Sequence, residues 1–172
     1  MNNQQDMFLI REASMSAMAL GQGLTHLRKY DFGQTGFFYS SLLQLATGTE
    51  RILKIILIYN HRLKDSNTFP NNKELRYYGH KINELFLQSI NIANDFELTE
   101  LTDFYFQDVL YSKIINLLSD FALQARYYNL DILTGKQQNN VEPLIRWENE
   151  INSHIIERHF RPRKSTIGCL EK

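Results

Sequence analysis

The chain has 172 residues, 43% hydrophobic and 22% charged, with 19 basic residues against 19 acidic ones. That length suits one domain with a sizeable core, and the charge balance excludes a global field that would gather nucleic acid or acidic lipid. The single cysteine, Cys169, excludes an intrachain disulfide and a multi-cysteine metal cluster, which fits a reducing compartment.

The opening stretch, MNNQQDMFLIREASMSAMAL, has no cationic segment ahead of its apolar residues and does not read as a signal peptide. Charges break every apolar run well short of a membrane span. The expectation is a soluble, cytoplasmic protein.

A first helix is expected over residues 4–30, loosened where Gly21 and Gly23 interrupt it. A second runs over 35–63, followed by the polar loop KDSNTFPNN and a third helix over 73–94. Gly79 inside the third costs about 1 kcal/mol relative to alanine, which a close helix crossing would explain. The fourth covers 104–133, with Gly135 just past its end. The fifth covers 142–158, with Pro143 in its first turn. No stretch alternates long enough to argue for a strand. Long helices with short links predict an all-α fold, an antiparallel up-and-down bundle of four to five helices. A single domain over 1–160 is expected, with a flexible basic tail over 161–172.

Unrolled at about 100° per residue, the fourth helix has a core stripe of Leu110, Ile114, Leu117, Phe121, Ala125, Tyr128 and Ile132. A second apolar strip holds Ile115, Ala122, Leu123, Leu130 and Leu133, with Ser119 and Arg126 among them. A surface helix needs one stripe, so the second points to a central helix or a face that meets another chain. In the second helix Leu42, Leu45, Ala46, Leu53, Ile56 and Leu57 face the core and Gln44, Thr47 and Arg51 face away. Glu50 stands at the edge of that stripe with Lys54 one turn on. In the third, Leu75, Tyr78, Ile82, Phe86, Ile90 and Ala93 form the core face, flanked by Arg76, His80, Asn83 and Glu84.

Three segments, TGTERILKIILI, YGHKINELF and ARYYNLDIL, taken together resemble the HEPN superfamily of small helical-bundle proteins. The resemblance spans roughly two thirds of the chain, and each segment by itself is a weak motif. It implies a bundle of four or five helices that pairs as a homodimer. In active members an arginine and a histidine, with four to six residues between them, meet across the dimer and cleave RNA without a metal. Arg126 stands where that arginine belongs. The matching histidine is absent, since positions 131 to 133 are Asp131, Ile132 and Leu133. Arg76 to His80 is too short a spacing and Arg146 to His154 too long.

Arg126, with Asn129 and Asp131, is therefore a candidate for a degenerate RNA-binding or RNA-cleaving site, or for a structural arginine bonded to a carboxylate such as Glu50 or to helix carbonyls across an interface. His80 is a candidate general base. Glu50, Lys54 and Arg76 are candidate binding residues. Arg158, Arg161, Arg163 and Lys164 cluster around Phe160, where they could touch phosphates. His154 and His159 do not share a helix face as a four-residue spacing would, and no HExxH motif occurs, so no metal site is expected. No phosphate loop or nucleophile elbow appears, and no cofactor is implied. The leading expectation is a non-catalytic HEPN-like homodimer that binds RNA or a partner protein in a toxin, defence or mobile-element setting. The alternatives are a metal-independent endoribonuclease using Arg126 with His80, and a helical adaptor without a nucleic-acid role.

Overall fold

The computed structural model describes residues 3–98, 100–137 and 141–160, and all regular structure among them is helical. The first two helices, α1 (Asn3–Lys29) and α2 (Thr35–Lys64), form a long antiparallel hairpin. Arg62 bonds Asp6, Arg51 bonds Glu12 and Leu45 sits on Gly23, in opposite order along the two helices. The glycines expected to loosen α1 leave it unbroken, because one of them is a packing device. A Cβ at Gly23 would lie 2.6 Å from Leu45 Cγ, and one at Gly48 of α2 would lie 2.8 Å from Leu20 Cγ. Each helix thus receives a leucine of the other in a glycine notch, and the axes come close. Ser16, wholly buried at this contact, donates its hydroxyl to the Gly48 carbonyl at 2.7 Å.

The expected third helix comes in two pieces, α3 (Asn72–Tyr78) and α4 (Ile82–Asp95). A capping box starts α3: the Asn71 side chain accepts from the Lys73 and Glu74 N–H groups, and the Glu74 carboxylate accepts from the Asn71 N–H. Gly79 ends it at φ +50°, ψ −121°, a conformation that side chains with a Cβ avoid. The close crossing expected there is absent, since a Cβ at Gly79 would meet nothing within 4 Å. The expected face of α4 holds and is wider than expected, since Leu85, outside the stripe, is fully buried beside Ile82.

Residues 65–79 run back beside α2, where Glu74, Leu75 and Tyr78 share a cleft with Leu57 and Asn60. In consequence α4 lies parallel to α2: Glu50 meets His80 and Lys64 meets Asp95, in the same order along both. Strict up-and-down alternation fails at this point.

The fourth helix is also divided, into α5 (Glu100–Gln107), α6 (Val109–Leu123), a 3-10 turn (Ala125–Tyr127) and α7 (Tyr128–Leu133). Asp108 caps α6, its carboxylate accepting the Leu110 N–H at 2.9 Å. The expected core stripe holds from Leu110 to Ala125. Beyond it Tyr128 is half-buried and Ile132 exposed, because a 3-10 turn rotates the chain further per residue than an α-helix does.

The last helix begins as α8 (Pro143–Arg146), passes through a π-helical stretch (Trp147–Asn152) and ends as α9 (Ser153–His159). It packs antiparallel to α6, with Arg146 on Asp120, Lys113 on the Glu150 carbonyl and His154 on Asp108. Trp147 meets Phe38 edge to face at 5.9 Å.

At the centre is α2. Its Phe38, Leu42, Ala46 and Leu53 pack with Ile82 and Leu85 of α4 and with Leu117, Leu118 and Phe121 of α6. The face of α2 expected to meet solvent, Gln44, Thr47 and Arg51, is half-buried, and α1 packs against this helix. The expected flexible tail, 161–172, lies outside the described residues.

Candidate functional site

Glu50 is the hub of a polar assembly drawn from two of the resemblance segments. Lys54, one turn further along α2, donates to Glu50 Oε1 at 2.7 Å and to the Gly79 carbonyl at 2.8 Å. His80 Nδ1 pairs with Glu50 Oε2 at 2.8 Å. The Gly79 carbonyl is available because the helix stops there, and the same break turns His80 toward α2. One glycine thus supplies both an acceptor for the lysine and the position of the histidine.

The Glu50 side chain is only 14% exposed, whereas that of His80 is 57% exposed. Burial pushes the Glu50 carboxyl up, but hydrogen bonds from Lys54 and His80, and the charges of both, outweigh it and hold it below the ordinary carboxylate range. An ionised carboxylate on Nδ1 orients the imidazole and leaves Nε2 as its free nitrogen. A neutral ring held that way is arranged as a base.

Arg126 approaches the same carboxylate from another side. It lines a narrow crevice with Leu43, Thr47, Glu50, Phe121 and Ala122, with room for about one water molecule. The expected ion pair to Glu50 is not formed, because that carboxylate is already shared by Lys54 and His80. The guanidinium instead donates to the Ala122 carbonyl at the end of α6 and lies 6.0 Å from the centre of the Tyr127 ring. Arg126 is exposed. Arg126→Ala is therefore expected to change unfolding free energy by less than about 0.5 kcal/mol, where a buried ion pair would lose about 3–5 kcal/mol. Urea melts of the two proteins separate these outcomes.

The other expected site residues scatter. Asn129 is hydrogen-bonded to Tyr39, whose hydroxyl donates to Glu142 at 2.8 Å. Burial first, and Glu142 second, push the Tyr39 phenol up, while Asn129 opposes them. Asp131 pairs with Lys136 at 2.8 Å. Arg76 is exposed on α3. None of these three joins the Glu50 assembly. Arg158 is anchored on Asp108, which also holds His154 at 3.2 Å. Arg161, Arg163 and Lys164 lie outside the described residues. Of the tyrosine pairs, Tyr77 and Tyr127 are exposed, Tyr78 packs against the core and Tyr128 is half-buried.

Among the described residues no three His, Cys, Asp or Glu side chains converge as metal ligands, and no helix is long and apolar enough to cross a membrane. The joining of Glu50 to His80, thirty residues apart, left no periodic trace in the sequence. The only hint was a glycine at a costly place. Comparison with protein-family models, with curated proteins and with solved structures yields no match.

Proposed function

We propose that this chain is a HEPN-like cytoplasmic protein that pairs with a second copy through its α6–α7 face and engages RNA there without cleaving it. A toxin, defence or mobile-element setting follows from the same resemblance. One observation carries the reading: Arg126 stands exposed on a segment that carries exposed apolar side chains before and after it, with Leu123 at 49%, Leu130 at 59% and Leu133 at 81%. Apolar groups gathered on one face are the mark of an interaction surface. A guanidinium beside the Tyr127 ring suits phosphate and base together.

The test has two arms, sedimentation at micromolar protein and fluorescence anisotropy with a labelled single-stranded RNA. The expected result is a dimer that Leu130→Glu with Leu133→Glu dissociates, and RNA binding that Arg126→Ala weakens without unfolding the protein. Binding should fall with added salt, as contacts to phosphates require. A monomer without affinity for RNA overturns the proposal. A dimer indifferent to RNA leaves the adaptor as the better reading.

A second reading, metal-independent RNA cleavage, is favoured by the hydrogen bond between Glu50 and His80. There the oriented imidazole would take the proton of the ribose 2′-hydroxyl as its oxygen bonds phosphorus, Arg126 would stabilise the charge on the phosphorus oxygens, and the bond to the 5′-oxygen would break, that oxygen leaving with a proton from the imidazolium or from water. Because the arginine-to-histidine spacing of active members is absent, no cleavage above background is expected in chelator-containing buffer. Cleavage that disappears in both His80→Ala and Arg126→Ala would replace the first reading with the second.

A further inference from the structure

Among the described residues, a second concave site is lined by none of Glu50, His80 and Arg126. It is a cleft of about 250 Å³ between the second half of α2, α3 and the middle of α4, just below the usual range of drug-sized sites and suited to a smaller occupant. Leu57, Leu75, Tyr78 and Ile92 supply apolar and aromatic wall. Asp65 and Glu74 supply acceptors, and Asn60 stands on the wall.

Two features give the cleft a chemical preference. The first is Asn60 on its wall, whose Oδ1 is closed off from solvent without a hydrogen-bond partner. Such an orphan acceptor destabilises the fold until a donor reaches it. The second is charge. Asp65 and Glu74 line the cleft as anions, and Lys64, the lysine among its lining residues, bonds Asp95 at 3.1 Å with its side chain mostly in water. His61, also on the wall, faces Asp65 at 3.6 Å. Glu74 uses Oε2 for the Asn71 N–H, leaving Oε1 able to accept. An occupant with several donors, a positive charge and an apolar body matches this set, whereas an anion meets two carboxylates and an acceptor without a partner.

We propose that this cleft binds a small primary amine with an aromatic or branched apolar body. The ammonium group sits between Glu74 and Asn60, and a turn of the Asn60 amide brings Oδ1 to it. The hydrophobic body lies against Leu57, Tyr78 and Ile92. Three ammonium donors suit one carboxylate, one amide oxygen and one water.

The probe is 2-phenylethylamine, with 3-phenylpropionate as the acid of similar shape, titrated into the intact protein and followed by amide NMR. The amine is expected to shift signals of residues 57–64, 74–78 and 88–92, and the acid is not. Asn60→Leu removes an atom that has no partner, so it should fold at least as stably as the native chain while binding the amine about tenfold more weakly. Glu74→Gln keeps the capping box, which glutamine also makes, and should weaken the amine by a similar factor through loss of charge. Equal binding of acid and amine, no binding of either, or full affinity in both variants would overturn the proposal. The test is independent of RNA binding and of dimer formation.

Discussion

Glu50→Ala is expected to lower the free energy of unfolding by about 2–3 kcal/mol, somewhat less than breaking a fully buried ion pair costs. The reason is that one carboxylate joins three parts of the fold. Lys54 on its own helix, the Gly79 carbonyl through Lys54, and His80 at the start of α4 all depend on it. Without Glu50 the Lys54 ammonium, 24% exposed, keeps only the carbonyl. The break between α3 and α4 then loses its tie to α2. Lys54 and His80 keep some access to water, which places the loss below that of a fully buried pair.

Acid should remove the same contribution. The Glu50 carboxyl is held below the ordinary carboxylate range in the folded protein. Its stabilisation is therefore complete above the unfolded value, about 4.3, and is lost as pH falls through the lower folded one. Glu50→Gln keeps the shape and cannot titrate, so the gap in stability between native and variant should shrink as the pH is lowered from about 6 to about 3. Urea melts across that range measure it. A gap that stays constant with pH would show that the carboxylate charge contributes nothing to folding.

The second large effect lies at the hairpin of α1 and α2. Gly48→Ala gains about 1 kcal/mol of helix propensity, yet the new Cβ would lie 2.8 Å from Leu20 Cγ and 3.0 Å from the Leu20 nitrogen. The side chain can shift, but the backbone of a long packed helix cannot easily do so. Overpacking of this kind costs about 1–3 kcal/mol. The helices must also part enough to strain the hydrogen bond from Ser16 to the Gly48 carbonyl. A net loss of about 1–2 kcal/mol is expected. Gly21→Ala is the matched control: nothing lies within 4 Å of its Cβ and it is also inside a helix. It should stabilise by about 0.5–1 kcal/mol. Thermal melts giving the same sign for both would contradict the close approach of α1 and α2.

Much of the helical content was legible from local chemistry. Pro143 opens its helix as its missing N–H permits, and Gly135, at φ +74°, follows the end of α7. The apolar residues of α2 and of α6 recur at helical spacing and are buried accordingly. Each of these signals lies within a few residues of the structure it specifies. The second apolar strip was legible only in part: Leu123, Leu130 and Leu133 are exposed, whereas Ala122 and Ser119 of the same strip are buried and Ile115 packs against the core.

The interruptions were not legible, and the candidate site is built on them. Apolar spacing runs through Gly79, Asp108 and Gln124 as though the helices continued, because periodicity records which side chains are apolar and not where the backbone turns. The stop at Gly79 sets His80 against Glu50 and frees a carbonyl for Lys54. The 3-10 turn after Leu123 moves Arg126 from a buried pair to an exposed carbonyl contact. Helix formation and burial pattern are properties of neighbouring residues, so the sequence by itself determined them. Which carboxylate meets which cation depends on where distant helices end and how they align, and only the tertiary structure decided that, because a hydrogen bond forms only when both atoms come within about 3 Å.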